Sequence, residues 1–163
     1  MEEFRRALTS NGYPPQDRKY NDFINSLRIA QITTRDETAM YLATLLHESD
    51  GLRATGEYYN PASVNAYGNY TGRGYIQLSG IENYRAASNA LGYDYVNDPG
   101  SVAKDPHAWN VSAWYWATEA HGFVPQGFQT VVIKGIRPLQ PHMENRIKIY
   151  ENVCNAFGVQ PRL

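Results

Sequence analysis

Glu48 and Glu57 stand on either side of a change in chain character. Glu48 closes a strongly patterned helical stretch, and Glu57 lies in the glycine- and tyrosine-rich loop that follows. Two carboxylates facing each other across a cleft are the minimum equipment for breaking a glycosidic bond, because one protonates the leaving oxygen while the other handles water or the anomeric carbon. An isolated glutamate is ordinarily a solvated surface acid. Glu48 departs from that pattern because an acid in the last helical turn sits at the unfavourable end of the macrodipole, and because the aromatic loop begins there. Glu57 gains weight from its neighbours. Tyr58, Tyr59, Tyr67, Tyr70 and Tyr75 fall in this one loop; sugar rings pack their C–H faces on aromatics, and tyrosine adds a hydroxyl for sugar oxygens. The other use of these tyrosines is packing of the loop on itself.

Other chemistries fit less well. His47-Glu48 has the start of a zinc helix, but the second histidine that such a helix needs four residues on is replaced by Gly51. His47, His107, His121 and His142 show no ligand spacing, so neither a metal nor another cofactor is expected. Gly72-Arg73-Gly74 is not a dinucleotide fingerprint, since Gln77 stands where the third glycine belongs. A formal net charge of −1 gives no electrostatic footprint for nucleic acid. No apolar run approaches membrane-spanning length. Met1-Glu2-Glu3 carries acids where a secretory leader would carry positive charge, so the expectation is either action without Sec export or secretion after removal of a leader. Cys154 is alone and falls at a core spacing, which suits a small buried hydrophobe.

The elements that must position the acids read as helices. Residues 1–9 form a short one stopped by Ser10-Asn11-Gly12, and a second covers about 17–31. Thr34 with Glu37 makes a capping box, and Ala39, Leu42, Ala43 and Leu46 give the third helix its apolar face up to Gly51. The stretch from Arg53 to Leu78 loses the period, and its aromatic content argues for an ordered loop, with at most a small hairpin, walling a cleft. Ser79-x-x-Glu82 forms another capping box ahead of a helix ending at Gly92. Asp105 as N-cap with Pro106 at the first position opens a helix running to Gly122, and a short segment spans Phe128 to Ile136. The last helix begins near Pro141, places Met143, Ile147, Tyr150, Cys154 and Phe157 on one face, and stops at Gly158. The sum is a single all-α domain over residues 1–163.

His47-Glu48-Ser49, Glu57 in its loop, Tyr70-x-Gly72-Arg73-Gly74-x-Ile76-Gln77-Leu78-Ser79, Asn83-Tyr84, Asn97-Asp98-Pro99, Ala113-Trp114-Tyr115-Trp116 and Arg146-Ile147-x-x-Tyr150 occur in one consistent order. Over about residues 36–158 this resembles glycoside hydrolase family 19, the chitinases and related endolysins. The resemblance implies a lysozyme-like, two-lobed helical domain with a central cleft. It makes Glu48 the general acid, Glu57 the general base and Ser79 the hydroxyl that holds the attacking water. Gln77 and Asn83 become substrate contacts, with His47 and Tyr70 on the substrate side, and Arg146 orients the acids. Members of the family invert the anomeric centre, which calls for carboxyls about 6.5–9.5 Å apart. The sequence departs where relatives carry Ile-Asn-Gly-Gly, since this chain reads Ile136-Arg137-Pro138-Leu139.

The resulting expectation is a monomeric endochitinase acting on a polysaccharide of β-1,4-linked N-acetylglucosamine, with no nucleic-acid or membrane partner. A peptidoglycan-cleaving endolysin on the same scaffold is the nearest alternative. Many wall-lytic domains benefit from positive charge, so the net charge of −1 favours chitin. A glycan-binding module without activity is the third, and retention of both acids and Ser79 argues against it.

Overall fold

The computed structural model describes residues 1–53, 56 and 67–163. Its axis is helix α3, Arg35–Glu48, entered through Thr34, whose Oγ1 accepts from the Glu37 N–H at 3.2 Å. Only that arm of the expected capping box forms. The Glu37 side chain turns inward instead, where its carboxylate accepts from Trp116 Nε1–H at 2.8 Å and lies 2.6 Å from His121 Nδ1. A buried carboxylate needs such partners, and the capping position offers only one N–H.

Helix α3 was expected to bury one face and instead buries most of its circumference. Ala39, Leu42, Ala43 and Leu46 are inside, but so are Met40, Tyr41, Thr44 and Leu45. The polar members are tolerated because they are bonded. Tyr41 Oη lies 2.8 Å from Ser26 Oγ, and Thr44 donates to the Met40 carbonyl at 2.8 Å. Leu42, Leu45 and Leu46 are each fully covered, worth about 1.5–3 kcal/mol apiece relative to exposure.

Around this axis lie α1 (Glu2–Thr9), α2 (Tyr20–Ile29, entered through a 3₁₀ turn at Asp17–Lys19), α4 (Ile81–Leu91), α5 (His107–Tyr115), the short α6 (Phe128–Thr130) and α7 (Met143–Phe157). Helix α7 packs against α1 and α3, while α5 packs against α2 and α4. The stripe predicted for α7 is rotated: Tyr150, Cys154 and Phe157 are buried, but Arg146, Ile149 and Val153 join them while Met143 and Ile147 stay partly buried. The buried Arg146 is the reason, and its partner is in the site. Gly92 and Gly158 both end their helices in the left-handed conformation, as the sequence predicts.

Helix α5 does not run to Gly122. Its winding widens into a π-type turn at Trp116–Ala120 and then tightens into a 3₁₀ turn at His121–Gln126. A second π-type turn, Val131–Ile136, follows α6. The two wide turns meet at Gly135, where a Cβ would lie 2.9 Å from Ala120 Cα, so only glycine allows that approach. Nor does Asp105 cap α5; its carboxylate accepts from Tyr75 Oη–H at 2.6 Å, and Pro106 takes the N-cap position.

In the described end of the aromatic segment, residues 67–78, a turn forms in which Arg73 and Leu78 exchange both backbone hydrogen bonds, at 3.2 and 2.9 Å. Isolated bridges join Gly56 to Arg73 and Arg73 to Leu78, and they are the extent of β-structure among the described residues. Gly74 is held at φ +78°, with Val102 O 3.0 Å from where a Cβ would be. Tyr75 is completely buried, and the Tyr70 hydroxyl donates to the Val96 carbonyl at 2.9 Å, so both tyrosines serve the core more than a cleft wall. Tyr67 is exposed, and Tyr58 and Tyr59 lie outside the described residues. Cys154 is fully buried, and burial pushes its thiol up to about 11. No described helix is long and apolar enough to cross a membrane.

Candidate active site

Glu48 is the last residue of α3. The helix stops there because Ser49 folds back, its Oγ donating to Leu45 O at 2.6 Å and accepting from the Leu52 N–H at 2.9 Å, while Asp50, Gly51 and Leu52 take positive φ. The Glu48 side chain keeps 18% of its surface exposed. Its Oε1 accepts from Arg146 Nη2 at 2.6 Å. Arg146 is 3% exposed, and its Nε donates to the Pro141 carbonyl at 2.5 Å, which ties the guanidinium plane to the chain entering α7. Its Nη1 is buried with no partner among the described residues. A pair set this deep gains little net stability, because desolvation offsets its attraction; what it fixes is geometry.

His47 stands behind this pair. Burial first, then electrostatic interaction with Arg146 and His142, lower its imidazole to about 4. It is therefore neutral near pH 7, and its Nδ1 accepts from Asn145 Nδ2–H at 3.1 Å.

A cleft of about 250 Å³ opens beside Glu48. Gln77, Ser79 and Asn83 line it from the Arg73–Leu78 turn and the start of α4; Tyr115, Ile136, Arg137, Pro138 and Leu139 line it from the end of α5 and the second wide turn. Three polar side chains form a staircase: Gln77 Nε2 donates to Gly74 O at 2.8 Å, Ser79 Oγ to Gln77 O at 3.2 Å, and Asn83 Nδ2 to Ser79 O at 2.9 Å. Of the residues singled out from sequence, Glu48, Gln77, Ser79 and Asn83 thus share one cleft. Arg146 lies directly behind Glu48. Tyr70 lines the neighbouring groove, and His47 is not among the cleft-lining residues. Glu57 lies outside the described residues, and so does the carboxyl separation.

Ser79 is not the N-cap of α4. Gly80 occupies that position, and no side-chain cap bond forms there among the described residues. The Ser79 proton goes to Gln77 O, which leaves the hydroxyl oxygen able to accept from a water. Ser79→Ala is therefore expected to leave unfolding free energy within about 0.5 kcal/mol of the parent in a denaturant titration. A loss of about 1 kcal/mol or more would restore a capping role.

The far wall was not assigned from sequence. Arg137 adopts the left-handed conformation at φ 55° where the second wide turn ends, and its Nη2 donates to Glu119 Oε2 at 3.1 Å. Burial raises the Tyr115 phenol, and Arg137 beside it opposes the rise. The Ile136-Arg137-Pro138-Leu139 departure and Tyr115 inside Ala113-Trp114-Tyr115-Trp116 were the available signals; the wide turns that bring them together have no sequence signature. Among the described residues no group of three or more His, Cys, Asp or Glu could hold a metal ion.

The family model described as chitinase class I, glycoside hydrolase 19, matches residues 46–139. Over 151 residues the chain is 32% identical to endochitinase B of Zea mays, covering 81% of this chain and 53% of that protein. It is 30% identical to endochitinase EP3 of Arabidopsis thaliana over 148 residues, covering 78% and 54%. The chain spans about half the length of these curated relatives. Among solved structures, a bacterial family 19 chitinase superposes with a TM-score of 0.81 at 27% identity, covering 100% of this chain and 97% of that one. Chitinase C from Streptomyces griseus HUT6037 shares the fold, with a TM-score of 0.80 at 22% identity, covering 100% of this chain and 78% of that one. The matched segment carries Glu48, the Arg73–Leu78 turn and both walls of the cleft, and the chain belongs to glycoside hydrolase family 19.

Proposed function

We propose that this chain is an endochitinase that hydrolyses β-1,4 bonds between N-acetylglucosamine units with inversion. The observation that carries the reading is Glu48, oriented by Arg146 at the edge of a cleft whose polar staircase ends in Ser79 and Asn83. In this reading Glu48 protonates the leaving oxygen, Glu57 takes a proton from water, and the Ser79 oxygen accepts a hydrogen bond from that water. Gln77 and Asn83 hold the sugar, and residues 1–163 act as one monomeric catalytic domain. The relatives named above as endochitinases support the activity.

Arg137 favours a second reading. A guanidinium on the wall of the same cleft could pair with a lactyl or peptide carboxylate of peptidoglycan, whereas chitin is neutral. Its engagement by Glu119 tilts the balance back to a neutral glycan. Assays on N-acetylglucosamine oligomers and on purified peptidoglycan, with Arg137→Ala alongside, separate the two. We expect reducing ends from the oligomers, with the α-anomer first in proton NMR and little change in Arg137→Ala. Peptidoglycan lysis without oligomer cleavage, lost in Arg137→Ala, would replace the chitinase reading. The β-anomer first would make Glu57 a nucleophile, and binding without turnover would leave a glycan-binding module.

A further inference from the structure

Tyr67 is the described tyrosine of the aromatic segment that is exposed, at 40%, while Tyr75 is buried and Tyr70 is partly buried with its hydroxyl bonded to a backbone carbonyl. Its carbonyl accepts from the Tyr70 N–H at 3.0 Å, which ties it to the turn that follows. Its ring lies close to Gly80 at the start of α4, with ring carbons 3.8 and 3.9 Å from where a Gly80 Cβ would be. Tyr67 lines the Glu48 cleft and also a second groove of about 620 Å³ that runs past Asn69, Ile81 and Glu82. Ser79 and Asn83 are shared by the two spaces as well, so the second is a continuation of the first. Ile81, 39% exposed, gives the groove an apolar wall.

We infer that Tyr67 is a stacking platform over which the glycan passes from the catalytic cleft into the second groove, making it a residue that selects for longer chains. This rests on the endochitinase reading and adds to it where the sugar chain continues. An exposed ring lying against a glycine, with its own carbonyl bonded into the following turn, presents an apolar surface, and the C–H face of a pyranose is its natural complement. The hydroxyl is not required for that contact.

The test is calorimetric titration of Glu48→Gln protein with N-acetylglucosamine dimers to hexamers, in Tyr67, Tyr67→Ala and Tyr67→Phe backgrounds, with KM and kcat measured in parallel for proteins retaining Glu48. Tyr67→Ala should weaken hexamer binding and raise its KM by about tenfold, change dimer binding less than about twofold, and leave kcat on the hexamer nearly intact. Tyr67→Phe should bind like the parent. An unchanged hexamer affinity in Tyr67→Ala, or an equal loss at every length, would overturn the inference. If the parent binds no oligomer, the endochitinase reading fails first, and the same titration with peptidoglycan fragments decides Tyr67: length-dependent loss in Tyr67→Ala sustains the platform, and its absence or a lack of any binding removes it.

Discussion

Glu48→Gln is expected to lower turnover on unactivated N-acetylglucosamine oligomers by at least ~10²-fold, the scale of a removed general acid. The substitution is chosen for what it keeps. A glutamine carbonyl oxygen can still accept from Arg146 Nη2, so the 2.6 Å contact that orients the side chain has a counterpart, and oligosaccharide affinity should change little. What is lost is the proton. Substrates with a nitrophenol leaving group need less protonation, and on them the deficit should shrink. Glu57→Gln should instead fail on both substrate types, because water activation is needed whatever departs. Near-parental turnover of Glu48→Gln on the unactivated oligomers would remove Glu48 from the acid role. A loss accompanied by failure to bind would mean that it acts as a ligand to the sugar.

Where a rule depends on neighbours along the chain, the sequence predicted the structure. Thr34 receives the Glu37 N–H, and Gly92 and Gly158 close their helices. The rule failed where a distant partner outbid the local one. Glu37 left its capping box for Trp116 and His121, and Asp105 left the N-cap of α5 for Tyr75. A pattern of residue types cannot register such competition, since the winning partner is tens of residues away. Tyrosine placement shows the same limit: Tyr67 and Tyr75 have similar local surroundings, yet one lines the cleft and the other is completely buried. The near side of the site was legible because Glu48, Gln77, Ser79 and Asn83 come from one continuous stretch. The wall from Tyr115 to Leu139 depends on two π-type turns meeting at Gly135, which no periodicity announces.

Arg146→Met should separate catalysis from stability. The guanidinium is 3% exposed, and among the described residues its Nη1 has no partner and its ionic contact is to a carboxylate that remains 18% exposed. Replacing a buried cation by an apolar chain of similar length removes its desolvation cost, while Glu48 keeps access to water through the cleft. Unfolding free energy should therefore stay within about 1 kcal/mol of the parent, against about 3–5 kcal/mol when a buried pair is broken so that one charge is left stranded. Turnover should nevertheless fall by about 10²-fold, because a carboxyl that is misplaced by an ångström no longer meets the leaving oxygen. Arg146→Lys keeps the charge but not the planar fork that reaches both Pro141 O and Glu48 Oε1, and it should recover only part of the activity. Guanidinium-chloride titration and oligomer turnover measured on the same preparations decide the matter. Full activity in Arg146→Met would show that Glu48 needs no orienting partner, and a cooperative loss of stability matching the loss of turnover would make the pair a structural element of the α3–α7 contact.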